Sequence, residues 1–195
     1  MKGALKALMV VGLAFLAAYG GAKVYRWQLE NKQIAAEYAG YTGGDFTLQS
    51  PAGGVSLHDY QGRVVLIYFG YTYCPDVCPT SLSVMGQAMK LLEGQADVKG
   101  LFISFDPERD TLEKLEVYAP FFHPEITGLT SSAPRILEVS TRYGVYYKKV
   151  ERAEKDYLVD HTSRIYIIDQ EGKLAGVVNH GATPQDIVER VERLL

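Results

Sequence analysis

The sequence contains little cysteine, with two in 195 residues. This count excludes a small domain held together by several disulfides, and it excludes a zinc module that needs four cysteine ligands. Neither cysteine lies near residue 20, which excludes membrane attachment of the bacterial lipoprotein type. Whatever chemistry the cysteines perform therefore involves at most one pair of sulfur atoms.

Clusters of basic residues are also absent from most of the chain. Residues 1–32 carry five Lys and Arg and one Glu, whereas the residues after them carry fifteen basic and twenty-two acidic side chains. Proteins that bind nucleic acid gain much of their affinity by neutralising phosphates, so this acidic balance excludes a nucleic-acid partner. The apolar content of 47% and charged content of 22% are otherwise typical of a folded globular protein.

One uncharged stretch, Ala7–Ala22, follows Lys6 near the N-terminus. It is slightly shorter than the roughly 20 residues that cross a bilayer. Lys6 can extend toward the headgroups at one end, and Tyr25 and Trp27 suit the interface at the other. We expect one N-terminal transmembrane helix. The alternative is a cleaved secretory signal, because small residues occur near its end. Either segment places the globular part outside the cytoplasm.

The expected organisation has three parts. Residues 1–29 form the membrane anchor or signal, residues 30–44 form a stalk, and residues 45–195 form the globular domain. The stalk ends in the sequence Tyr-Thr-Gly-Gly, which favours a flexible connection.

The third part alternates strand-length apolar runs with amphipathic stretches. Val64–Phe69 is continuously apolar, as expected of a strand that is buried on both faces. Further strands are predicted at Leu101–Phe105, Val145–Tyr147, Arg164–Asp169 and Leu174–Val178, and helices at Pro79–Leu92, Asp110–Pro120, Pro134–Tyr143 and Thr183–Leu194. This order predicts an α/β fold with a mixed central sheet.

Both cysteines lie between the first predicted central strand and its helix. Cys74 and Cys78 are four residues apart, and the second is at the helix start, so the two sulfurs can face one metal ion or each other. The positive end of a helix lowers a thiol pKa, which makes thiolates available near neutral pH. The pair is therefore a metal-binding or redox pair, with buried structural cysteines or a structural disulfide as the alternative.

A nearby histidine would indicate copper, because soft thiolates favour Cu(I) or zinc and imidazole suits copper in either oxidation state. His161 immediately precedes the predicted strand Arg164–Asp169 and is therefore expected at the sheet edge that carries the cysteine loop. We expect His58 to be exposed, His123 to be structural at a helix end and His180 to lie in a loop. Position alone leaves His161 as either a ligand or a structural residue.

Three separated motifs resemble the Sco/SenC family of copper proteins of cytochrome oxidase assembly. They are Tyr-Phe-Gly-Tyr-Thr-Tyr-Cys-Pro-Asp-Val-Cys-Pro-Thr at 68–80, Asp-Pro-Glu-Arg-Asp-Thr at 106–111 and Asp-His-Thr at 160–162. The resemblance covers about residues 45–195, together with the N-terminal anchor typical of the family. It implies a thioredoxin-like fold in which Cys74, Cys78 and His161 bind one copper ion per monomer, as Cu(I) or Cu(II).

The resemblance also implies a function. The protein would be a membrane-anchored metallochaperone rather than an enzyme, and it would deliver copper to the dinuclear copper centre of cytochrome c oxidase. Its partners would be the copper-bearing oxidase subunit and another periplasmic copper carrier. It would cross the bacterial inner membrane once, with the soluble domain facing the periplasm.

The alternative is a thiol-disulfide oxidoreductase in which Cys74 and Cys78 are the redox-active pair. It would reduce cysteines of the oxidase subunit or of a copper carrier. Thioredoxin-type enzymes place two residues between their cysteines, whereas this chain has three, and they carry a proline where Asp160–Thr162 stands. Both departures favour metal binding. A peroxiredoxin-like peroxidase is disfavoured, because its loop carries Thr where this chain has Pro75.

Other residues of the motifs are expected to have structural roles. We expect Asp76 to lie at the helix entry rather than on the metal, Asp110 to cap a helix and Arg109 to pair locally. Met85 and Met89 recur at helical spacing and are expected in the core rather than at a thioether copper site.

Overall fold

The computed structural model describes residues 2–37, 43–152 and 157–195, and in the first helix it describes the side chains of residues 12–26, 28, 29 and 32. The chain divides into two compact units, Met1–Gly40 and Tyr41–Leu195. The first unit contains α1, Lys2–Glu37, which continues past the predicted boundary at residue 29.

Among the described residues, no helix combines the length and the apolar character that crossing a membrane requires. The predicted span Ala7–Ala22 begins among residues whose side chains lie outside the description. The predicted transmembrane helix is therefore not confirmed. Tyr41 and Thr42, at the end of the predicted stalk, also lie outside the described residues.

The second unit alternates strands and helices. Its described elements are β1 (Thr47–Ser50), β2 (Gly53–Ser56), a short 3-10 helix (Leu57–Tyr60), β3 (Val64–Gly70), α2 (Val77–Leu92), β4 (Val98–Ser104), α3 (Leu112–Phe122), β5 (Ile126–Leu129), α4 (Ala133–Arg142), β6 (Tyr147–Glu151), β7 (Tyr157–His161), β8 (Arg164–Ile168), β9 (Leu174–Asn179) and α5 (Pro184–Glu192).

The central sheet of the described chain has the order β5-β4-β3-β8-β9. β3 and β4 pair in parallel, as do β4 and β5, whereas β8 runs antiparallel to both β3 and β9. The prediction of an α/β fold with a mixed central sheet is confirmed. The predicted strands Arg164–Asp169 and Leu174–Val178 are confirmed as β8 and β9, which pair with each other as a hairpin.

β3 lies at the centre of this sheet, and every one of its residues is buried. Tyr68 faces α2, since its hydroxyl donates to the carbonyl of Val77 over 3.5 Å. Phe69 points to the opposite face, where its ring lies 5.6 Å from that of Tyr143, just beyond α4. The strand is therefore covered on both faces, and its C-terminal end leads into the cysteine loop.

Two predictions about α3 are wrong. Thr111, not Asp110, is the N-cap, and its side chain accepts a hydrogen bond from the backbone N–H of Lys114. Pro120 lies inside the helix, which continues to Phe122. Pro120 has no backbone N–H, so the Glu116 carbonyl loses its helical partner; both residues are exposed.

β6 and β7 form a separate antiparallel ribbon that carries His161. Tyr147 of β6 pairs with His161, the last residue of β7. Within the described chain, β6 is the strand that β7 pairs with, and neither belongs to the central sheet. β7 is not predictable from an apolar pattern, because Tyr157–His161 does not form a continuous apolar run.

Candidate metal centre

The cysteine loop connects β3 to α2, and hydrogen bonds to the side chain of Asp110 hold it in place. This carboxylate is fully buried. It accepts hydrogen bonds from the backbone N–H of Thr72 at 2.9 Å and from the Thr72 hydroxyl at 2.6 Å. It also accepts one from the Ser104 hydroxyl at 2.6 Å. Asp110 therefore ties the loop to the end of β4 instead of capping α3.

Both cysteines are free thiols that are nearly or wholly buried. Cys74 is 7% exposed and Cys78 is 0% exposed. The backbone N–H of Cys78, in the first turn of α2, donates to Sγ of Cys74 over 3.4 Å. The two sulfurs are thus held together by the turn that starts the helix.

The environment gives the two thiols different acidities. A hydrogen bond from the Cys78 thiol, assisted by the His161 side chain and by the backbone N–H groups of Asp76 and Cys78, outweighs burial and lowers the pKa of Cys74 to about 4. Burial, together with the neighbouring Cys74, raises the pKa of the Cys78 thiol. The metal-free pair therefore holds one thiolate and one proton near neutral pH, and binding a metal through both sulfurs releases that proton.

His161 presents its Nε2 atom to the cysteine pair. Its Nδ1 lies 3.0 Å from the carbonyl oxygen of Thr162, which can only accept, so Nδ1 carries the hydrogen. In the neutral ring this leaves the lone pair on Nε2, which lies 3.4 Å from Sγ of Cys78. A histidine whose other nitrogen donates to a carbonyl is the usual arrangement of a metal ligand.

The three predicted ligands come together. Sγ of Cys74, Sγ of Cys78 and a ring nitrogen of His161 all lie within 4.8 Å of one another. Two thiols and one imidazole are a donor set that suits Cu(I), zinc and, through the nitrogen, Cu(II). The three groups together can bind one metal ion. Alternatively, the two cysteines can form a disulfide, in which the histidine takes no part.

Aromatic rings surround the imidazole of His161. The Phe105 ring centroid lies 5.0 Å from it, and the centroids of Tyr71 and Tyr68 lie at 6.0 and 6.4 Å with nearly perpendicular planes. These rings restrict the imidazole to few orientations and lower the local polarity. They fix the direction of the lone pair on Nε2.

Gly70 leaves the space that Cys78 occupies. A Cβ atom at Gly70 would lie 2.9 Å from Sγ of Cys78 and 3.0 Å from ring atoms of both Phe102 and Tyr68. No side chain larger than hydrogen fits there without moving the thiol. This role is not visible in the sequence, because a glycine at the end of an apolar run gives no signal of what packs against it.

The other histidines lie apart from this group. His58 is exposed, as predicted. His123 is buried and structural, also as predicted, with Nε2 3.2 Å from a carboxylate oxygen of Glu93. His180 follows β9, and its Nδ1 lies 3.1 Å from the hydroxyl oxygen of Ser81.

The remaining candidates also have structural positions. Asp76 is exposed at the N-cap of α2 and makes no capping hydrogen bond with its side chain. Met85 and Met89 are buried on α2, as predicted. Arg109 pairs locally, with its Nε 2.6 Å from a carboxylate oxygen of Asp106.

The fold and the site define an α/β protein with a Cys-Cys-His group at the edge of a mixed sheet. The sequence model of the SCO1/SenC family matches residues 35–195. The chain belongs to this family, which confirms the resemblance seen in the motifs. The mouse protein named "Protein SCO2 homolog, mitochondrial" is 35% identical over 188 residues, covering 94% of this chain and 73% of the relative.

Solved structures agree with this assignment. Arabidopsis thaliana ScoI with copper bound has a TM-score of 0.73 at 36% identity, covering 78% of this chain and 96% of that one. Bradyrhizobium japonicum ScoI with copper bound has a TM-score of 0.72 at 39% identity, covering 79% and 99%. These likenesses confirm the thioredoxin-like fold. BsSco, a member of the Sco family of cytochrome c oxidase assembly proteins in which a disulfide switch is identified, is also similar in structure. It has a TM-score of 0.63 at 28% identity, covering 78% of this chain and 92% of that one.

Proposed function

We propose that this chain binds one copper ion through Cys74, Cys78 and His161 and delivers it to the dinuclear copper centre of cytochrome c oxidase. The observation that carries the proposal is the convergence of two thiols and one imidazole within 4.8 Å. The donor set fits copper, because the sulfurs suit Cu(I) and the nitrogen suits both oxidation states. The copper-bound ScoI relatives support the choice of copper over zinc.

Delivery is consistent with the construction of the site. Three protein ligands leave a copper ion room for an incoming ligand from an acceptor protein, so transfer can proceed by stepwise ligand exchange. Cys78 is wholly buried, whereas His161 is half-buried and can exchange first. The partner is the copper-bearing subunit of the oxidase, and another periplasmic copper carrier is a candidate donor.

The test uses the reduced full-length chain. We expect metal analysis to give one copper per chain, and we expect incubation with the copper-free oxidase subunit to develop the absorption of its dinuclear centre. A variant with both cysteines changed to serine is the control and should do neither. Two tightly held copper ions, or none, would contradict the site.

We also propose that the chain acts at the bacterial inner membrane, with the second unit facing the periplasm. Support comes from the uncharged stretch Ala7–Ala22 between Lys6 and Lys23. The full chain should remain with the membrane fraction after a carbonate wash, and its N-terminal sequence should begin at Met1. A sequence that begins near Gly21 or Lys23 would replace the anchor with a cleaved signal.

A second candidate function, reduction of a partner disulfide, is favoured by the low pKa of Cys74. In that reaction the Cys74 thiolate attacks the partner disulfide, and Cys78 resolves the mixed disulfide. Two electrons pass to the partner, which becomes a dithiol as the Cys74–Cys78 disulfide forms. Metal-free reduced protein that reduces the oxidised oxidase subunit, but does not load it with copper, would favour this function over delivery.

A further inference from the structure

The strand that carries His161 has little backbone support. Within the described chain β7 pairs with β6 alone, and a two-stranded ribbon is marginally stable in water by itself. Cys74 and Cys78, in contrast, follow the central strand of the five-stranded sheet. The position of His161 relative to the thiols therefore depends on side-chain contacts between β7 and the rest of the domain.

Arg109 makes several of these contacts at the start of β7. Its Nη1 donates to the carbonyl oxygen of Tyr157 over 2.9 Å. Its guanidinium carbon lies 3.6 Å from the centroid of the Tyr157 ring. A guanidinium at this distance from an aromatic face is attracted by the ring electrons, and the backbone hydrogen bond fixes its direction.

Arg109 also contacts the cysteine loop. Its guanidinium carbon lies 4.7 Å from the centroid of Tyr73, the residue before Cys74, and 5.8 Å from that of Tyr71. The Tyr71 hydroxyl in turn accepts a hydrogen bond from the backbone N–H of Val159, in the middle of β7, over 3.2 Å. The arginine thus lies between the loop and the strand.

The carboxylate of Asp106 contacts both Arg109 and Tyr157. This group is 0% exposed, and its two oxygens have different partners. Oδ2 lies 2.6 Å from Nε of Arg109, and Oδ1 accepts a hydrogen bond from the Tyr157 hydroxyl at 2.5 Å. The planar guanidinium can therefore bond to Asp106 and to the Tyr157 carbonyl at the same time while stacking on the ring.

We propose that Arg109 is the positioning residue of the metal site, because it fastens β7 to the cysteine loop and so holds Nε2 of His161 beside Sγ of Cys78. This inference rests on the proposed copper binding for its metal readout, but the placement of His161 is testable without metal. It also gives a role to the Asp106–Thr111 motif, which the ligand set alone leaves unused.

The test replaces Arg109 by lysine in the full-length chain. Lysine keeps the charge but lacks the planar fork, so it does not reproduce the separate Nε and Nη1 hydrogen bonds together with stacking on the Tyr157 ring. The matched control is Arg63→Lys, because Nε of Arg63 also contacts an aspartate, Asp97, at 2.9 Å. Arg63 precedes β3 and the cysteine loop follows it, so Arg63 lies at the opposite end of this strand from the metal site.

The first readout is NMR of the metal-free reduced proteins. We expect Arg109→Lys to shift the ring-proton signals of His161 and to weaken its contacts with Phe105 and Tyr71, with the core signals unchanged. Arg63→Lys should leave the His161 signals at their wild-type positions. Unchanged His161 signals in Arg109→Lys would overturn the proposal.

The second readout is copper affinity in each oxidation state. Loss of a residue that orients a ligand weakens metal binding by about 10-fold to 100-fold. We expect that loss for Cu(II), with a changed thiolate-to-copper absorption, and nearly wild-type affinity for Cu(I). Equal loss in both states would overturn the proposal by assigning Arg109 to the thiols. If wild type bound no copper, the proposed function would fail, and the NMR comparison would still decide the role of Arg109.

Discussion

Nε2 of His161 lies 3.4 Å from Sγ of Cys78, although 83 residues separate them in the chain. The histidine comes from a two-stranded ribbon and the cysteine from the first turn of α2. The site thus combines two soft sulfur donors from one local segment with one nitrogen donor from a distant one. Because the donors come from two separate parts of the chain, we expect them to have separable roles in binding copper.

Replacing His161 by alanine should separate the two oxidation states of copper. Two thiolates satisfy Cu(I), whereas Cu(II) needs the nitrogen to offset its poor match to sulfur. We expect His161→Ala to retain measurable Cu(I) affinity and to lose stable Cu(II) binding with its thiolate charge-transfer absorption. Competition titrations in each oxidation state measure this.

The control for that experiment is His58→Ala, because His58 is exposed and outside the site. It should bind both ions as wild type does. Changing either Cys74 or Cys78 to serine should abolish both affinities. If His161→Ala holds Cu(II) as tightly as wild type, the histidine is not a ligand and the site is better described as a redox dithiol.

Gly70→Ala should disturb the site and the fold together. The added Cβ would lie 2.9 Å from Sγ of Cys78 and meet two aromatic rings at 3.0 Å. Overpacking of a dense core typically costs about 1–3 kcal/mol, so the free energy of unfolding should fall by that amount. Copper affinity should fall as well, because the thiol must move.

Gly176→Ala is the matched control for this substitution. Gly176 is buried in β9, and a Cβ there would meet its nearest atoms at 4.0 Å, which is ordinary contact. We expect its unfolding free energy to stay within about 0.5 kcal/mol of wild type. Denaturant titrations of the metal-free proteins compare the two; equal stability for both variants would show that the Gly70 pocket can relax.

The two thiols should differ in their dependence on pH. Hydrogen bonds lower the pKa of Cys74 to about 4, so its thiolate is present above that pH and is lost below it. Burial raises the pKa of Cys78, which should stay protonated at neutral pH. In the metal-free reduced protein, the alkylation rate of Cys74 should therefore rise with a midpoint near pH 4 and change little between pH 6 and 8.

Peptide mass spectrometry after brief iodoacetamide labelling measures each cysteine separately. Cys78 in the same digest provides an internal comparison and should remain almost unlabelled. In denatured protein, both cysteines should follow the ordinary thiol profile, with a midpoint near pH 8.5. A folded-state midpoint near that value for Cys74 would contradict the proposed hydrogen bonding.

Oxidation should release bound copper. Formation of a Cys74–Cys78 disulfide removes two thiolates, and the imidazole of His161 alone cannot retain the ion. One equivalent of a two-electron oxidant should reduce the free thiol count from two to zero and transfer the copper to a chelator in the same proportion. Copper that stays bound after complete loss of free thiols would exclude the cysteines as ligands.

The elements predicted correctly are those with a local pattern. The all-apolar run of β3, the periodic core side of α2 and the Thr183-Pro184 start of α5 each appear within a few residues of sequence. The cysteine pair was also identifiable, since its spacing and position lie within one loop. For these elements, the side-chain pattern and the local backbone preference both favour the observed structure.

The parts that sequence reasoning missed depend on distant partners. Asp110 carries a capping pattern, but it binds Thr72 instead, 38 residues away. β7 pairs with β6, and its backbone also bonds to the side chains of Arg109 and Tyr71, which are distant in the sequence. Position alone left the role of His161 open for the same reason, and the family resemblance supplied what the local pattern lacked.

The hydrogen bonds from Thr72 to Asp110 make the cysteine loop depend on a carboxylate that lies 38 residues further along the chain. Asp110 comes after β4, which pairs with β3, so the native shape of the cysteine loop requires residues beyond that strand. A nascent chain that ends before Asp110 contains both thiols but not the carboxylate that fixes the turn preceding them. Such a truncated chain should therefore not hold the two thiols in their native geometry, even though both cysteines are present.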